Sequence, residues 1–326
     1  MNRARGLLAA LAATALLAGC TAGSDATITT KTYKYTEPPL PAQAIPIPTD
    51  APVAPERNEE CGDPTASLRP TGAGAGARGP TIDAIRARGR LVVGLDTGSN
   101  LFSFRDPVSG TIVGFDADIA REVARDLLGN PDLIEYRSLG SAERESALQN
   151  HVVDIVAKTM TINCERRQRV AFSTVYLHAN QRVLAMKNSG IRNLADLAGK
   201  RVCIVSGTTS LDHIRRGQPA ATILTVPTWA DCLVVLQQRQ VDAVSTDDAV
   251  LAGLAAQDPS YTELVGPSIS VEPYGIGIPK GEDDMVRFVN GTLERIRNDG
   301  TWVRLYQQYL MALGPVPAPP VPAYQD

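Results

Sequence analysis

Four polar clusters follow short apolar runs in this chain, and their side chains could bind a small charged molecule. One cluster contains Arg166, whose guanidinium can hold a carboxylate through two parallel hydrogen bonds. Hydroxyl groups and backbone amides at Thr208 and Thr209, at the start of a predicted helix, suit the same anion. Asp247 suits an ammonium group. Together these residue types are complementary to a zwitterion.

Each cluster also has a simpler structural interpretation. The run Ser-Gly-Thr-Thr-Ser over residues 206–210 is typical of a turn with a helix cap. Arg166 and Arg167 could lie on a solvated helix face, and Asp247 and Asp248 could cap the following helix. A single cluster therefore does not indicate a binding site, whereas the four clusters together do.

Alternating strand and helix patterns between residues 82 and 313 predict the elements that position these clusters. Leu91–Leu95 is typical of a buried strand, and the stripe of Ile119, Val123 and Leu127 predicts a helix over 116–128. The alternation predicts an α/β architecture with parallel sheets, in which ligands bind beyond the carboxyl ends of strands. Further strands are predicted at 152–157, 201–205, 222–226, 241–245 and 274–278, and further helices at 229–238 and 284–297.

The first residues predict export and lipid anchoring. Arg3 and Arg5 precede an apolar run over 7–17, which is too short to remain as a membrane-spanning helix. Leu17-Ala-Gly-Cys20 matches a lipobox, in which the cysteine receives a diacylglyceryl group and becomes the new N-terminus. An ordinary secretory signal with a chance cysteine is the alternative. We therefore expect a signal peptide over 1–19 and attachment through Cys20 to the outer face of the cytoplasmic membrane.

Composition narrows the function classes. The chain has 326 residues and a formal net charge of −3, which provides no basic surface for nucleic acid. The three histidines are scattered and no C-x-x-C motif occurs, so no metal site is predicted.

Cysteine content is consistent with an oxidising compartment. Four cysteines remain after Cys20, and they allow three pairings. We favour Cys203–Cys232, because a strand and the next-but-one helix of one domain could bring them together. Cys61–Cys164 would then attach the N-terminal extension to the body. Four free thiols are the alternative.

Both ends of the chain are rich in proline. Residues 20–81 are poor in core-forming side chains and are predicted to form an extended Pro/Gly-rich tether. The glycines of residues 72–76 follow no predicted strand, so they indicate a linker rather than a dinucleotide site. Residues 314–326 are predicted to be a disordered Pro-rich tail.

Motifs in chain order resemble those of solute-binding protein family 3, the polar amino-acid-binding proteins of ABC importers. The likeness covers nearly all of residues 82–313 and is greatest to glutamine-binding lipoproteins of the GlnH type. The first half contributes Leu91-Val-Val-Gly-Leu-Asp96, Val113-Gly-Phe-Asp-Ala-Asp118 and Met160-Thr-Ile162 with Glu165-Arg166. The second half contributes Ser206-Gly-Thr208, Val241-Asp-Ala-Val244 and Tyr274-Gly-Ile-Gly277.

The resemblance implies a bilobed, periplasmic-binding-protein-like fold of type II, with two α/β lobes joined by a two-strand hinge. Lobe 1 would comprise 82–178 plus 273–313, and lobe 2 would comprise 179–272. The implied function is capture of a polar amino acid by hinge closure and its presentation to an ABC permease, by a monomer that needs no cofactor and is not an enzyme. The alternatives are a sensor that signals to a membrane partner and a dehydratase-like enzyme.

The resemblance also assigns roles to individual residues. Arg166 would hold the ligand α-carboxylate, with help from Thr161 and from the turn at Thr208 and Thr209. Asp247 would receive the α-ammonium, and Thr159 would offer a further acceptor.

Departures from the family pattern bear on specificity. Ser99 and Ser141 stand where many relatives have aromatic residues, which implies a more polar pocket. Asp96 would favour an amide or amine side chain on the ligand, whereas Lys158 would favour a carboxylate. The sequence therefore leaves glutamate, aspartate, glutamine and asparagine open.

Overall fold

Two separate β-sheets form the framework of the protein in the computed structural model. The structure describes residues 36–53, 61–71, 74 and 76–325. The predicted signal peptide and Cys20 lie outside these residues. Pro39–Asp326 forms one compact unit, and of the preceding unit, Met1–Pro38, only residues 36–38 are described, without regular secondary structure.

Strands and helices alternate along the chain, as the sequence predicts. The strands are β1 (Ile45–Ile47), β2 (Leu91–Leu95), β3 (Gly98–Ser99), β4 (Ser103–Arg105), β5 (Ile112–Val113), β6 (Ile134–Ser138), β7 (Ile155–Val156), β8 (Val170–Phe172), β9 (Leu177–Met186), β10 (Arg201–Val205), β11 (Thr222–Val226), β12 (Ala243–Asp247), β13 (Thr262–Tyr274) and β14 (Gly277–Pro279). The helices are α1 (Pro80–Arg88), α2 (Phe115–Leu128), α3 (Arg144–Gln149), α4 (Cys164–Arg169), α5 (Thr209–Gly217), α6 (Trp229–Gln237), α7 (Asp248–Gln257), α8 (Asp283–Asn298) and α9 (Thr301–Tyr309).

The first lobe is built on a five-stranded sheet in the order β6-β2-β7-β14-β8. Strand β2 runs parallel to β6 and β7, whereas β14 runs antiparallel to β7 and β8. Strands β3, β4 and β5 form a small separate sheet. Helix α2 packs Ile119, Val123 and Leu127 into the core of this lobe, so the predicted apolar stripe is buried.

The second lobe is built on a six-stranded sheet in the order β1-β11-β10-β12-β9-β13. Strand β10 runs parallel to β11 and to β12, so the carboxyl ends of these three strands share one edge. The core of this lobe is separate from the first and includes Trp229 and Val244. Separate buried cores on two separate sheets make a bilobed α/β fold.

The chain crosses between the lobes twice. Strand β9 begins directly after the last segments of lobe 1, and β13 leads back into β14. The two strands pair antiparallel, with Leu177 opposite Tyr274 at their lobe 1 ends. This pair of long strands is the structural hinge between the lobes.

Some strand boundaries differ from the predicted ones. The run 152–157 forms only β7, Ile155–Val156, and the run 241–245 is displaced to Ala243–Asp247. Asp247 is therefore the last residue of a strand rather than a residue after it. The displacement arises because β12 takes its register from β9, with Asp247 opposite Gln181.

The described part of the tether differs from the expected free spacer. Strand β1 pairs antiparallel with the edge strand β11, and Cys61 is bonded to Cys164 of lobe 1. Backbone groups at a sheet edge are free to pair, which explains why a short proline-containing segment docks there. Residues 36–53 and 61–71 thus include segments that contact the body.

The expectation of a disordered tail is wrong for residues 314–325. Ser67 N donates to Ala323 O at 3.0 Å and Gln325 N donates to Ser67 O at 2.9 Å, so the tail pairs with the N-terminal extension. The guanidinium of Arg69 lies 5.2 Å from the centre of the Tyr324 ring. These hydrogen bonds and the cation–π contact hold the tail against the body, although its sequence has few side chains that could enter a core.

Both predicted cysteine pairs are joined. Cys203 of β10 and Cys232 of α6 are completely buried in lobe 2, whereas Cys61 is exposed. Within the described residues, no helix is both long and apolar enough to cross a membrane.

Candidate functional site

Helix α4 positions Arg166 at the surface where the lobes meet. Asn163 caps this helix, since its Oδ1 accepts a hydrogen bond from Arg166 N at 2.8 Å. The guanidinium is buried and donates to Thr161 O at 2.7 Å and to Gly207 O of lobe 2 at 3.3 Å. Burial lowers the pKa of Arg166, and the nearby carboxylate of Glu145 opposes that shift. Arg166 is therefore a fixed, buried cation that spans both lobes.

A second buried guanidinium, that of Arg144 at the start of α3, lies at the same surface. It donates to Ser141 O at 2.9 Å, Lys158 O at 3.0 Å and Gly207 O at 3.2 Å. Among the described residues, no carboxylate forms an ion pair with it within 4 Å, and burial together with the charge of Arg166 lowers its pKa to about 9. Within the described part of the chain, Arg144 is thus a buried cation that no carboxylate contacts directly, although the charges of Glu145 and Asp247 act on it.

The turn before α5 is the part of lobe 2 that touches both arginines. Gly207 has a φ of +72°, and a Cβ at this position would lie 2.5 Å from Ala142 Cα of lobe 1. Only glycine permits this close approach without displacement of the backbone. Thr208 caps α5, since its Oγ1 accepts from Leu211 N at 3.3 Å. The turn therefore presents the amino end of α5 to lobe 1.

Asp247 supplies the opposite charge from lobe 2. Tyr274 donates a hydrogen bond to its Oδ2, while its buried Oδ1 has no hydrogen-bond partner among the described residues. Burial, reinforced by the charge of Glu272, raises the pKa of Asp247 to about 8. An unpaired buried carboxylate oxygen is costly unless a ligand donor reaches it.

These groups line one small cavity between the lobes. Its empty space, about 260 Å3, includes open solvent, and the enclosed room is only about 10 Å3, so in this conformation the lobes lie close together around these groups. The lining comprises Ser141, Arg144, Thr159, Arg166, Thr208, Thr209, Ser210, Trp229, Thr246 and Asp247. The structure thus brings together five of the residues predicted from sequence: Thr159, Arg166, Thr208, Thr209 and Asp247.

Three other predicted residues bind one another beside the cavity. Lys158 Nζ lies 2.8 Å from Asp96 Oδ2, and Ser99 Oγ donates to the same oxygen at 3.1 Å. Burial alone would raise the pKa of Asp96, but the charge and hydrogen bond of Lys158 leave it lowered. The pair is largely neutralised internally, and neither residue lines the cavity.

The remaining predicted residue, Thr161, contacts the hinge instead of the cavity. Its hydroxyl donates to Glu272 Oε2 at 2.7 Å, and Thr209 Oγ1 donates to the same oxygen at 2.9 Å. Thr161 still contributes indirectly, because its carbonyl orients Arg166. The position of Thr159 is fixed by a hydrogen bond from its backbone amide to Asp116 Oδ2 at 2.9 Å.

Sequence reasoning missed Arg144, Glu272 and Tyr274 as parts of the site. Arg144 stands between Glu143 and Glu145, a pattern typical of a solvated helix, so its burial leaves no local signal. Glu272 was missed because the strand was predicted to begin at Tyr274, whereas β13 begins at Thr262.

A larger cavity lies elsewhere in lobe 2. Its empty space, which likewise includes open solvent, is about 1100 Å3, and it lies at the amino ends of β10 and β12 and thus opposite the site. It contains none of the residues predicted to bind a ligand. Among the described residues, no group of three or more His, Cys, Asp or Glu side chains could hold a metal ion.

Comparison with known families fits this geometry. The family model for bacterial extracellular solute-binding proteins, family 3, matches residues 91–312. The chain belongs to this family. The solute-binding protein is 36% identical over 231 residues to the ABC transporter glutamine-binding protein GlnH of Bacillus subtilis (strain 168), covering 71% of this chain and 84% of that relative.

Two further similarities support the assignment. The solute-binding protein is 30% identical over 256 residues to the glutamate-binding protein GluB of Corynebacterium glutamicum, covering 75% of this chain and 86% of the relative. A solved structure of an ancestral arginine-binding protein bound to glutamine matches with a TM-score of 0.64 and 33% identity, covering 68% of this chain and 98% of the other. These matches confirm the family and the bilobed fold.

Proposed function

We propose that this solute-binding protein captures a polar amino acid between its lobes and prefers an acidic one, glutamate or aspartate, to the amides. One observation supports the proposal most directly. Two buried guanidinium groups from lobe 1, those of Arg144 and Arg166, line the same cavity as a carboxylate oxygen of Asp247 from lobe 2 that has no hydrogen-bond partner among the described residues. A carboxylate, an ammonium and a second carboxylate on one small molecule would satisfy all three.

The acidic ligand offers each arginine a direct carboxylate contact. Arg166 has Glu145 within 3.5 Å, but Arg144 has no ion-paired carboxylate among the described residues. An uncompensated buried charge costs several kcal/mol. With the α-carboxylate of the ligand on Arg166, the side-chain carboxylate of glutamate can contact Arg144, whereas the side chain of glutamine offers it only an amide oxygen. The ion pair between Asp96 and Lys158 supports this view. From the sequence, Asp96 would favour an amide or amine on the ligand and Lys158 a carboxylate, but each charge is already neutralised by the other.

The relatives support the transport context. GlnH of Bacillus subtilis and GluB of Corynebacterium glutamicum are named as binding proteins, GlnH as part of an ABC transporter. We propose that this chain likewise presents its ligand to an ABC importer, and that Cys20 anchors it by lipid to the outer face of the cytoplasmic membrane. The motif Leu17-Ala-Gly-Cys20 supports the anchor.

Binding without catalysis is part of the proposal. Asp96 is the acid or base candidate that the sequence offers, and it is ion-paired and outside the cavity lining. General acid–base chemistry needs a group within hydrogen-bond reach of the ligand. Asp96 does not meet that requirement.

Calorimetric titration of the four candidate amino acids tests the proposal. We expect the wild-type protein to bind glutamate or aspartate more tightly than glutamine or asparagine. Arg144→Gln should lower glutamate affinity about 100-fold and glutamine affinity much less, since it removes the counterion to the second carboxylate. Arg125→Gln, a half-exposed arginine of the same lobe, is the matched control and should change neither affinity. Tighter binding of glutamine by the wild type would contradict the preference.

A further inference from the structure

The loop between β7 and α4 contains a threonine in a backbone conformation that threonine rarely adopts. Thr159 has a φ of +39°, which lies in the left-handed region. Among the described residues, it is the only β-branched residue with a positive φ. This conformation is costly for a branched side chain, and it persists only where the surroundings enforce it. Thr159 therefore depends on its contacts for its backbone conformation.

Asp116 supplies the contact on the amide side of Thr159. Its side chain is buried in the first turn of α2, and its Oδ2 accepts a hydrogen bond from Thr159 N at 2.9 Å. The other oxygen, Oδ1, accepts from the buried Tyr176 hydroxyl at 2.7 Å. Burial raises the pKa of Asp116 to about 6, and these two hydrogen bonds oppose the rise. At neutral pH the carboxylate is therefore largely ionised and is a strong acceptor for both donors.

Arg144 contacts the carbonyl side of the same segment. Its Nη1 donates to Lys158 O at 3.0 Å and to Thr159 O at 3.2 Å. The two other acceptors that the described residues offer to this guanidinium are Ser141 O and Gly207 O. Gly207 belongs to lobe 2, so within lobe 1 most of the contacts that fix Arg144 come from the segment around Thr159.

The peptide unit between Lys158 and Thr159 couples these contacts. It is planar, and its N–H and C=O point in opposite directions. The N–H donates to Asp116, and the C=O accepts from Arg144 on the other side. If this peptide unit rotated, both hydrogen bonds would be lost together. The orientation of the Arg144 guanidinium is thus linked to the carboxylate of Asp116.

We propose that Asp116 is a positioning residue of the ligand site. Its carboxylate keeps Thr159 in the left-handed conformation, so that the carbonyls of Lys158 and Thr159 hold the guanidinium of Arg144 at the cavity. Asp116 is outside the cavity lining and acts through these residues. The proposal rests on the proposed function, because Arg144 is the group assigned there to the side-chain carboxylate of the ligand.

Asp116→Ala, alone and combined with Thr159→Gly, tests this role by calorimetric titration with glutamate and glutamine. We expect Asp116→Ala to lower glutamate affinity about 20-fold and glutamine affinity only about threefold, since Arg144 contacts the second carboxylate. Glycine adopts a positive φ without strain, so it can keep the backbone in place without Asp116. In the Thr159→Gly background, the same substitution should therefore lower glutamate affinity only about threefold.

Asp118→Ala is the matched control. Asp118 lies in the same first turn of α2 and likewise accepts from a tyrosine hydroxyl, that of Tyr309, at 2.7 Å. Its other side-chain partner is Arg121, which does not line the cavity. Asp118→Ala should destabilise the protein and leave the affinities for both amino acids unchanged.

Two further variants separate positioning from loss of the fold. Asp116→Ala leaves the Tyr176 hydroxyl without its acceptor, whereas Asp116→Ala with Tyr176→Phe removes both partners. This double variant should fold and lose glutamate affinity as Asp116→Ala does. Asp116→Asn should keep most of the affinity, because its amide oxygen can accept from Thr159 N while its NH2 donates to Tyr176. Equal losses for glutamate and glutamine in Asp116→Ala would contradict an action through Arg144.

Crystal structures of the empty wild-type and Asp116→Ala proteins distinguish this proposal from the proposed function. We expect the φ of Thr159 to become negative in the variant, and Thr159 O to lose its contact with Arg144. A positive φ with both carbonyls still on Arg144 would overturn the positioning role. An equal loss of glutamate affinity with and without Thr159→Gly would also overturn it. If the wild type binds neither glutamate nor aspartate, the proposed function fails, whereas the backbone of the variant still decides the role of Asp116.

Discussion

At the scale of single residues, the site depends on charges that the protein buries without pairing them completely. Asp247 keeps one carboxylate oxygen free, and Arg144 contacts only backbone carbonyls among the described residues. In contrast, Asp96 and Lys158 are equally buried but neutralise each other. A ligand that pairs with Asp247 and Arg144 would remove the energetic cost of their incompletely paired buried charges, whereas Asp96 and Lys158 already compensate each other.

The raised pKa of Asp247 predicts a pH dependence. The empty folded protein holds this proton up to about pH 8, whereas an unfolded chain loses it near 3.8, so the free energy of unfolding of the empty protein falls as the pH rises between these values. A ligand ammonium requires the ionised carboxylate. Binding below pH 8 should therefore release a proton, and the association constant should rise up to about tenfold per unit between pH 6 and 8.

Titration calorimetry at pH 6, 7 and 8, in buffers of different ionisation enthalpy, measures both the affinity and the proton release. Asp258→Asn, directly after the far end of α7, is the control and should keep the pH dependence. An affinity that stays constant over this range would show that Asp247 is already ionised in the empty protein.

At the scale of elements, two segments form the contact between the lobes: the turn between β10 and α5, and the short helix α4. Both arginines of lobe 1 donate to the carbonyl of Gly207, and the missing side chain of that glycine leaves room for Ala142. The cap at Asn163 fixes the direction of α4 and thereby of Arg166. The elements thus control how closely the lobes approach.

Gly207→Ala should prevent full closure. The added Cβ would meet Ala142 Cα at 2.5 Å, so we expect glutamate affinity to fall at least tenfold. Gly199→Ala is a matched control, because its φ of +69° imposes a similar backbone cost while nothing lies within 4 Å of the new Cβ. Both variants should lose about 1 kcal/mol of unfolding free energy, but only Gly207→Ala should lose affinity. Equal affinities of the two variants would exclude a steric role for Gly207.

At the scale of the whole molecule, the candidate site belongs to neither lobe alone. Lobe 1 supplies two cations, lobe 2 supplies a carboxylate and the amino end of α5, and the hinge strand β13 supplies Glu272 and Tyr274. Direct contacts such as Asn100 Nδ2 to Gly253 O, at 3.0 Å, also join the lobes. A ligand that satisfies both halves should therefore stabilise the folded molecule as one unit.

Glutamate at 100 times its dissociation constant should raise the free energy of unfolding by about 2.7 kcal/mol, which corresponds to several degrees in melting temperature. Thermal unfolding followed by calorimetry measures this shift. Arg166→Ala should fold normally and show no shift with glutamate, because it removes the proposed contact to the ligand α-carboxylate. A full shift in this variant would contradict the assignment of Arg166.

The sequence by itself determined the element order and the fold class, and it predicted residues for the candidate site. Apolar periodicity is local, so β2, α2, β10 and β11 could be predicted closely. Motifs also pointed to Asp247 and the turn at Thr208, which lie at the carboxyl ends of β12 and β10, and to Arg166, which lies in α4. Cysteine number and the predicted domains favoured the two disulfides that the structure contains, while leaving other pairings open.

Only the tertiary structure decided which charges remain free and which segments are docked. Asp96 and Lys158 lie 62 residues apart, and their pairing depends on the adjacency of β2 and β7. Arg144, Glu272 and the docked N-terminal segment likewise acquire their roles from partners that are distant in sequence. Residue type and spacing reveal what a side chain can do, whereas burial and long-range partners determine what is left for it to bind.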